Sequence, residues 1–445
     1  MQFATRKATA SAMTAVALLT VTACDETMEP TAAGFKPTVN FATAVDQAAL
    51  DRITLQLDAD GTYHLDRVCD VFIGEPVVDP ADGAPQRYDH QVIVELPPNP
   101  GPNPVIKVVG TEATAPGKVF TCDAADRDAD GALIPDLDGN PQPVIDPVTL
   151  HAAKGDGPLV SLDGVTLDLN GYSITVWPAL GTTARIPSTT TATGDTTVSF
   201  ENIGVVLAGS GQTLTNNVAA TSKVYGFGHN IDIEADNPTV QGWRYAADGT
   251  RDVAGPHFNL EAVGGFGIRL STGTMKIDQV KSVNNADLEL GQGFEARRIS
   301  SGFLTVSNSH FEGGAEGAFL REVSGVTFTK NYVASVNGPA IVTRQARSLT
   351  ATSTREARPM IITDNVVGAG TTGILWGRES TSQGNLKIEG NVLLNASCSI
   401  GLSSRNNLSS ISPYSLTSGT TNFIGNFNHR NVEKTVKATT CRVGD

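Results

Sequence analysis

The sequence predicts an all-β solenoid, a stack of coils each made from a few short strands. Two recurring patterns predict it. The first is a phrase of apolar strand, Asn and apolar pair: Val306-Ser307-Asn308-Ser309-His310-Phe311, then the runs around Asn331, Asn365, Asn391 and Asn426. These Asn residues fall 23, 34, 26 and 35 positions apart, and a period in the twenties with occasional insertions marks a solenoid. The second is a Gly followed by alternating residues: Gly267-Ile268-Arg269-Leu270, Gly293-Phe294-Glu295-Ala296, Gly317-Ala318-Phe319-Leu320 and Gly373-Ile374-Leu375-Trp376, with a looser copy at 398–402. Period-two alternation signals strands with one buried face. The Gly is expected to supply a turn conformation. The Asn tolerates left-handed geometry and can bond its neighbours, which suits a sharp bend. No repeat can bury its apolar face alone, so stacking makes the core.

Val160-Ser161-Leu162-Asp163-Gly164-Val165-Thr166-Leu167-Asp168-Leu169-Asn170-Gly171-Tyr172-Ser173-Ile174 has the look of one coil, as does Gly204-Val205-Val206-Leu207 with Gln212-Thr213-Leu214-Thr215-Asn216-Asn217-Val218. With these the chain resembles the right-handed parallel β-helix, pectin-lyase-like family. The resemblance covers roughly residues 159–430, about ten coils of 23–30 residues. It speaks for fold rather than activity, since one fold hosts many functions.

The first residues read as a targeting segment. Arg6 and Lys7 precede an apolar stretch from Ala8 to Thr20, too short to span a membrane. Val21-Thr22-Ala23-Cys24 resembles the bacterial lipoprotein processing box. That resemblance implies cleavage before Cys24, acylation of Cys24 and attachment to a lipid bilayer in the cell envelope, facing the periplasm or the outside, since several acyl chains anchor durably. The alternative is plain secretion with cleavage after Ala23. Four cysteines remain: Cys69, Cys122, Cys398 and Cys441. An even number in an exported chain reads as two disulfides. Three pairings exist, and Cys69–Cys122 with Cys398–Cys441 is favoured because each pair sits within one end of the chain.

The organisation follows: residues 1–23 a lipoprotein signal peptide, 24–40 the lipidated Cys and a Pro- and Ala-containing tether, 41–158 an N-terminal cap and β-hairpin region, 159–430 the β-helix, 431–445 a tail. Ala42 to Arg52 suggests a short amphipathic helix capping the open solenoid end. Val77–Gln86 and Ile134–Gln142 carry matching Asp-Gly turn signals, each after a Cys-Asp pair, and read as two matched hairpins.

The chain has 32 Lys and Arg against 46 Asp and Glu, a formal charge of −14. That balance argues against nucleic acid, which needs a basic footprint, and requires a local basic patch for any acidic sugar partner. The Gly strands supply one. Counting from each Gly, positions +2 and +4 point outward and contain Arg269, Glu295, Arg297 and Arg321. Arg269 is expected over Glu295 as an ion pair, and Arg297 over Arg321, a like-charge contact that something must offset. Glu295, Glu322 or an acidic ligand could do so. Arg298, Arg344 and Arg378 extend the same side. In polysaccharide-cleaving proteins of the resembled family the groove runs along this face. The resemblance therefore implies substrate binding by Arg269, Arg297, Arg298, Arg344 and Arg378. β-Elimination would have Arg321 as base and Arg297 as clamp for the uronate, and Glu295 and Glu322 are the carboxylates for hydrolysis. The alternative is a solvated Arg/Glu face. The family's lyase and polygalacturonase signatures are not found, so cleavage is left open beside a noncatalytic binding, adhesion or structural role.

Asp126, Asp128 and Asp130, with Gly131, match the start of a calcium loop, but Leu137 stands where an EF-hand has Glu. Calcium is therefore the only cofactor suggested, and an acidic turn is the other reading. Trp243 could stack on sugars, whereas Trp376 falls at an inward position that favours the core.

Overall fold

The computed structural model describes residues 51–69, 71–74, 92–110, 119–123, 157–177, 204–225, 230–284, 291–299, 301–346, 360–377, 386–394, 398–403, 427–428 and 442–443. All of them lie in one compact unit, Pro37–Asp445. Every regular element among the described residues is a β-strand. The strands form three long sheets of 13, 10 and 10 strands, called sheets 1, 2 and 3 below. Successive strands visit the sheets in turn. Phe266–Arg269 lies in sheet 1, Thr274–Asp278 in sheet 2 and Lys281–Val283 in sheet 3, and Gln292–Arg297 returns to sheet 1. Neighbours within a sheet are parallel and in register. A small antiparallel hairpin, Arg244–Tyr245 with His257–Phe258, is the one two-stranded sheet among the described residues.

The coils begin well before residue 159. Asp51–Thr54, Val71–Ile73 and Val92–Glu95 belong to sheet 1, Tyr63–Leu65 and Val105–Val108 to sheet 2, and Val119–Asp123 to sheet 3. The described strands of the expected N-terminal region are thus part of the solenoid. The strand at Asp51–Thr54 also takes Arg52 out of the expected helix. These strands are three to five residues long and separated by Pro- and Asp-rich stretches, which hides their periodicity in the sequence. Val71–Ile73 breaks chain order by inserting between Val92–Glu95 and Leu159–Val160. The expected Cys69–Cys122 bridge is present, with Cα atoms 5.3 Å apart. Closing that 53-residue separation lowers the unfolded chain's entropy by about 4 kcal/mol at room temperature on the loop-closure account. At the other end Arg442–Val443 pairs with the strand Cys398–Ser403, so sheet 1 takes a strand from the expected tail. Cys441, the matched hairpin turns and residues 1–50 lie outside the described residues.

The core follows from stacking equivalent inward positions. In sheet 2, Ile106, Leu167, Leu214, Val240, Ile277, Val306, Phe328, Ile362 and Ile388 succeed one another coil by coil, all essentially without exposure. Phe294 joins them from sheet 1, its ring centroid 4.9 Å from that of Phe311. Each file buries apolar surface continuously, at roughly 25 cal/mol per Å².

The recurring Asn builds the bend between sheets 2 and 3. Asn331, Asn365 and Asn391 are buried and stack side chain on side chain. Asn365 Oδ1 accepts from the Asn331 backbone N–H at 2.9 Å, while its Nδ2 donates to Phe328 O at 3.0 Å and Asn391 Oδ1 at 2.9 Å. The left-handed residue is the one before: Lys330, Asp364 and Gly390 have φ of 57°, 57° and 69°. Asn308 belongs to that left-handed file (φ 51°), and Ser309 is the residue that meets Asn331, at 3.0 Å. The Gly strands differ too. A Cβ on Gly317 would lie 2.5 Å from Ala334 O and 2.6 Å from Val333 Cγ1. Gly317 is therefore required by close approach of sheet 3, and neither it nor Gly293 has a positive φ.

Asn365→Ala is predicted to lower stability by about 2–4 kcal/mol, because it leaves two buried backbone groups of the preceding coil, Asn331 N–H and Phe328 O, unpaired. Asn308→Ala, at a partly exposed site, should cost clearly less. Urea unfolding of the two variants checks the order, and equal losses would contradict the ladder.

Candidate functional site on sheet 1

The outward face of sheet 1 carries the site. Its register places Arg269 opposite Arg297, Arg297 opposite Arg321, and Arg321 opposite Arg344. Four guanidinium side chains therefore occupy one ladder position in four consecutive coils, with strands about 4.8 Å apart. The pairing of Arg269 with Glu295 is corrected: Gly267 lies opposite Glu295. The Gly267 motif aligns two residues out of step with the Gly293 motif, which keeps every side chain on its face but changes its partner. Arg269 instead reaches back one strand. It is ion-paired with Asp232, a fully buried carboxylate, its Nε lying 3.3 Å from Asp232 Oδ1 and 3.5 Å from Glu234 Oε1. Sequence reasoning missed Asp232 and Glu234. The alternation Ile231-Asp232-Ile233-Glu234 was the signal, since it puts both carboxylates on the outward face of a buried strand.

A bend follows each Arg. Leu270, Arg298, Glu322 and Gln345 all have φ between 50° and 55°. The turn leaves Leu270 exposed at 42% where the Gly template would point it inward. It also brings Glu322 between two cations. Arg321 Nε donates to Glu322 Oε1 at 3.2 Å, and Arg298 Nε lies 3.6 Å from Glu322 Oε2. The structure thus unites Arg269, Arg297, Arg298, Arg321, Arg344, Glu295 and Glu322 on one sheet. Glu312 sits on sheet 3, 2.6 Å from His310, and Glu316 accepts from the Gln292 amide at 3.1 Å. Arg378, Asp126, Asp128 and Asp130 lie outside the described residues, among which no group of three or more His, Cys, Asp or Glu is placed to hold a metal.

Arg297 is electrostatically the odd member. Its Nε is buried and makes no hydrogen bond. Burial lowers its basicity, and neighbouring Arg321 lowers it further against the opposing pull of Glu295. Sheet 3 shows the ordinary alternative. There Lys223, Glu261 and Lys281 succeed one another on the outward face at N–O distances of 3.6 and 3.4 Å. Alternating signs stabilise a solvated face, whereas like charges directly opposite destabilise it.

Beside the Arg file runs a second outward file, Phe319, Val342 and Leu375. These residues form an apolar cluster separate from the main core and are almost fully buried. Trp376 points inward and is buried, as its position predicts. The Trp243 ring is covered by the guanidinium of Arg251, 4.0 Å from its centroid, so that face is occupied within the hairpin.

Parallel strands that visit three sheets in turn define the fold class, a parallel β-helix. Residues 248–413 match the family model described as right handed beta helix region. Among solved structures the chain is similar to the mannuronan C-5 epimerase AlgE6 A-module of Azotobacter vinelandii. Identity is 14%, the match covers 86% of this chain and 91% of that one, and the TM-score is 0.26. A likeness of that size carries no information on activity. No curated protein matches the sequence.

The two ends of the ladder should respond oppositely to neutralisation. Arg297→Met removes a desolvated cation and should leave stability unchanged or raise it by up to about 1 kcal/mol. Arg269→Met strands the buried Asp232 and should cost about 3–5 kcal/mol. Thermal unfolding of both variants at neutral pH measures this, and a larger loss for Arg297→Met would contradict the assignment.

Proposed function

We propose that the protein is an envelope lipoprotein, held by acylated Cys24, whose β-helix binds an acidic polysaccharide along the outward face of sheet 1. One observation carries the reading: Arg297 is a half-buried cation whose Nε makes no hydrogen bond, flanked by further arginines at the same ladder position. A carboxylate or sulfate on a sugar chain would supply the missing charge-assisted bonds, and bidentate geometry suits a guanidinium. Coils about 4.8 Å apart repeat at close to the length of a sugar unit. A polymer lying along the solenoid axis can therefore present one unit per coil. The apolar file of Phe319, Val342 and Leu375 stiffens the sheet beside it.

Cleavage is the second reading, and the lowered basicity of Arg297 favours it. In β-elimination a base takes the proton beside the uronate carboxyl, a carbon–carbon double bond forms, and the glycosidic oxygen leaves with a proton from an acid. Arg297 suits the base better than Arg321, which is held by Glu322. Arg321 and Arg298 would then neutralise the uronate, with Glu295 and Glu322 fixing the guanidinium positions. A purely structural role predicts neither binding nor product.

The test uses acidic and matched neutral polysaccharides, with calcium and with chelator, reading retained protein and unsaturated product. Acidic chains should be retained and neutral ones released, with retention falling as salt rises. Arg297→Ala should weaken retention roughly 10–100-fold, the worth of a lost charge-assisted hydrogen bond. Retention untouched by Arg297→Ala would reject the site. Calcium dependence would implicate Asp126, Asp128 and Asp130.

A further inference from the structure

The outward face of sheet 3 changes character along the solenoid. Its alternating Lys223, Glu261 and Lys281 are succeeded, at the same ladder position, by His310, Tyr332 and Val366. In the neighbouring outward file Glu312 is followed by Ala334 and then Gly368. Val366 keeps 37% exposure, and Val336, two residues past Ala334, keeps 58%. We infer that this patch is a binding subsite for an acetamido sugar, separate from the arginine file. The acetyl methyl and the C–H face of the sugar rest on Tyr332, Val366 and Val336 above Gly368, and the amide N–H donates to Glu312. This site does not depend on the reading of sheet 1.

Three observations support it. Gly368 is not required by the fold. A Cβ there would meet nothing nearer than Ala334 Cβ at 3.8 Å and Tyr332 Oη at 3.9 Å, and Gly368 has no positive φ. Gly317 is the contrast, since a Cβ there would strike backbone. A strand glycine with neither reason costs stability and marks a place where a ligand comes close. The aromatic wall is already fixed. Tyr332 stacks on His310 with centroids 4.5 Å apart, and Phe258 of the hairpin meets His310 edge-on at 6.1 Å, itself covered by the Arg244 guanidinium at 4.4 Å. Rings held this way lose little freedom on binding. The polar group stands beside the apolar shelf. Glu312 Oε1 lies 2.6 Å from His310 Nε2. A carboxylate only accepts, so the imidazole donates, and the side chain of Glu312, 40% exposed, can accept an incoming N–H as well. An acetamido group matches this pairing, with a methyl for the shelf and an N–H for the carboxylate. A plain hydroxylated sugar brings no methyl, and a uronate brings a second negative charge towards Glu312.

The experiment titrates the full protein with N,N′,N″-triacetylchitotriose, by calorimetry and by saturation transfer to the acetyl methyl signals. Cellotriose, the same backbone without acetamido groups, is the control. The triacetylated trimer should bind with a Kd on the order of 1 mM, as befits an open shelf, and cellotriose at least about tenfold more weakly. Gly368→Leu covers the shelf and Tyr332→Ala removes its wall. Each should weaken binding roughly tenfold, with circular dichroism showing that the variant is folded. Gly368→Ala should leave thermal stability unchanged or slightly raised; a clear loss would make the glycine structural and count against the site. No binding of the trimer, equal binding of cellotriose, or binding untouched in both Gly368→Leu and Tyr332→Ala overturns the inference. Arg297→Ala keeps the two sites apart: it should leave trimer binding unchanged, and Gly368→Leu should leave retention of acidic polysaccharide unchanged. A failure of the sheet 1 reading therefore shows only in that retention.

Discussion

Everything in this protein depends on the parallel hydrogen bonding of each coil to the next. That bonding holds successive strands about 4.8 Å apart in exact register, so a residue at one ladder position meets its counterparts from neighbouring coils rather than a complementary partner. Like therefore stacks on like. Aliphatic side chains gain continuous burial. Buried Asn amides gain a hydrogen-bonded file that satisfies the backbone at the bend. Charges alone lose by the arrangement. On sheet 3 the loss is avoided by alternating Lys and Glu. On sheet 1 it is not, and four arginines run in series.

That contrast is why the Arg file deserves a functional reading. A solubilising face has no need of repeated like charges, and the rest of the surface shows that the sequence can alternate them. At one end the file is neutralised by Asp232 and Glu234, and near its middle Glu322 bridges Arg298 and Arg321. Arg297 keeps a buried Nε without a hydrogen bond, the cost of its desolvation deepened by Arg321 and opposed by Glu295. A buried guanidinium nitrogen without a hydrogen bond, among like charges, marks where an external anion would be stabilising.

The fold was legible in the sequence because a solenoid writes its period openly, and the inward or outward sense of Arg269, Arg297, Arg321 and Trp376 followed from alternation. Register was harder. Asn308 looks like Asn331 but stands one position earlier in its coil, and Ser309 fills the amide's place. Gly267 looks like Gly293 but lies opposite Glu295. Short motifs tolerate such slips, since period-two strands look alike after a shift of two, and only backbone pairing distinguishes them. The N-terminal coils were illegible for another reason: strands of three to five residues among Pro- and Asp-rich stretches carry too little alternation to read. Asp232 and Glu234 were overlooked because their strand lacks the leading Gly that defined the template.

The most direct measurement is a crystal structure of the protein with a bound galacturonate oligomer. The account predicts density running along the solenoid axis, across the strands of sheet 1, with a carboxylate against the guanidinium of Arg297. Density confined to another sheet, or a chain lying along the strands and away from Arg297, would contradict it.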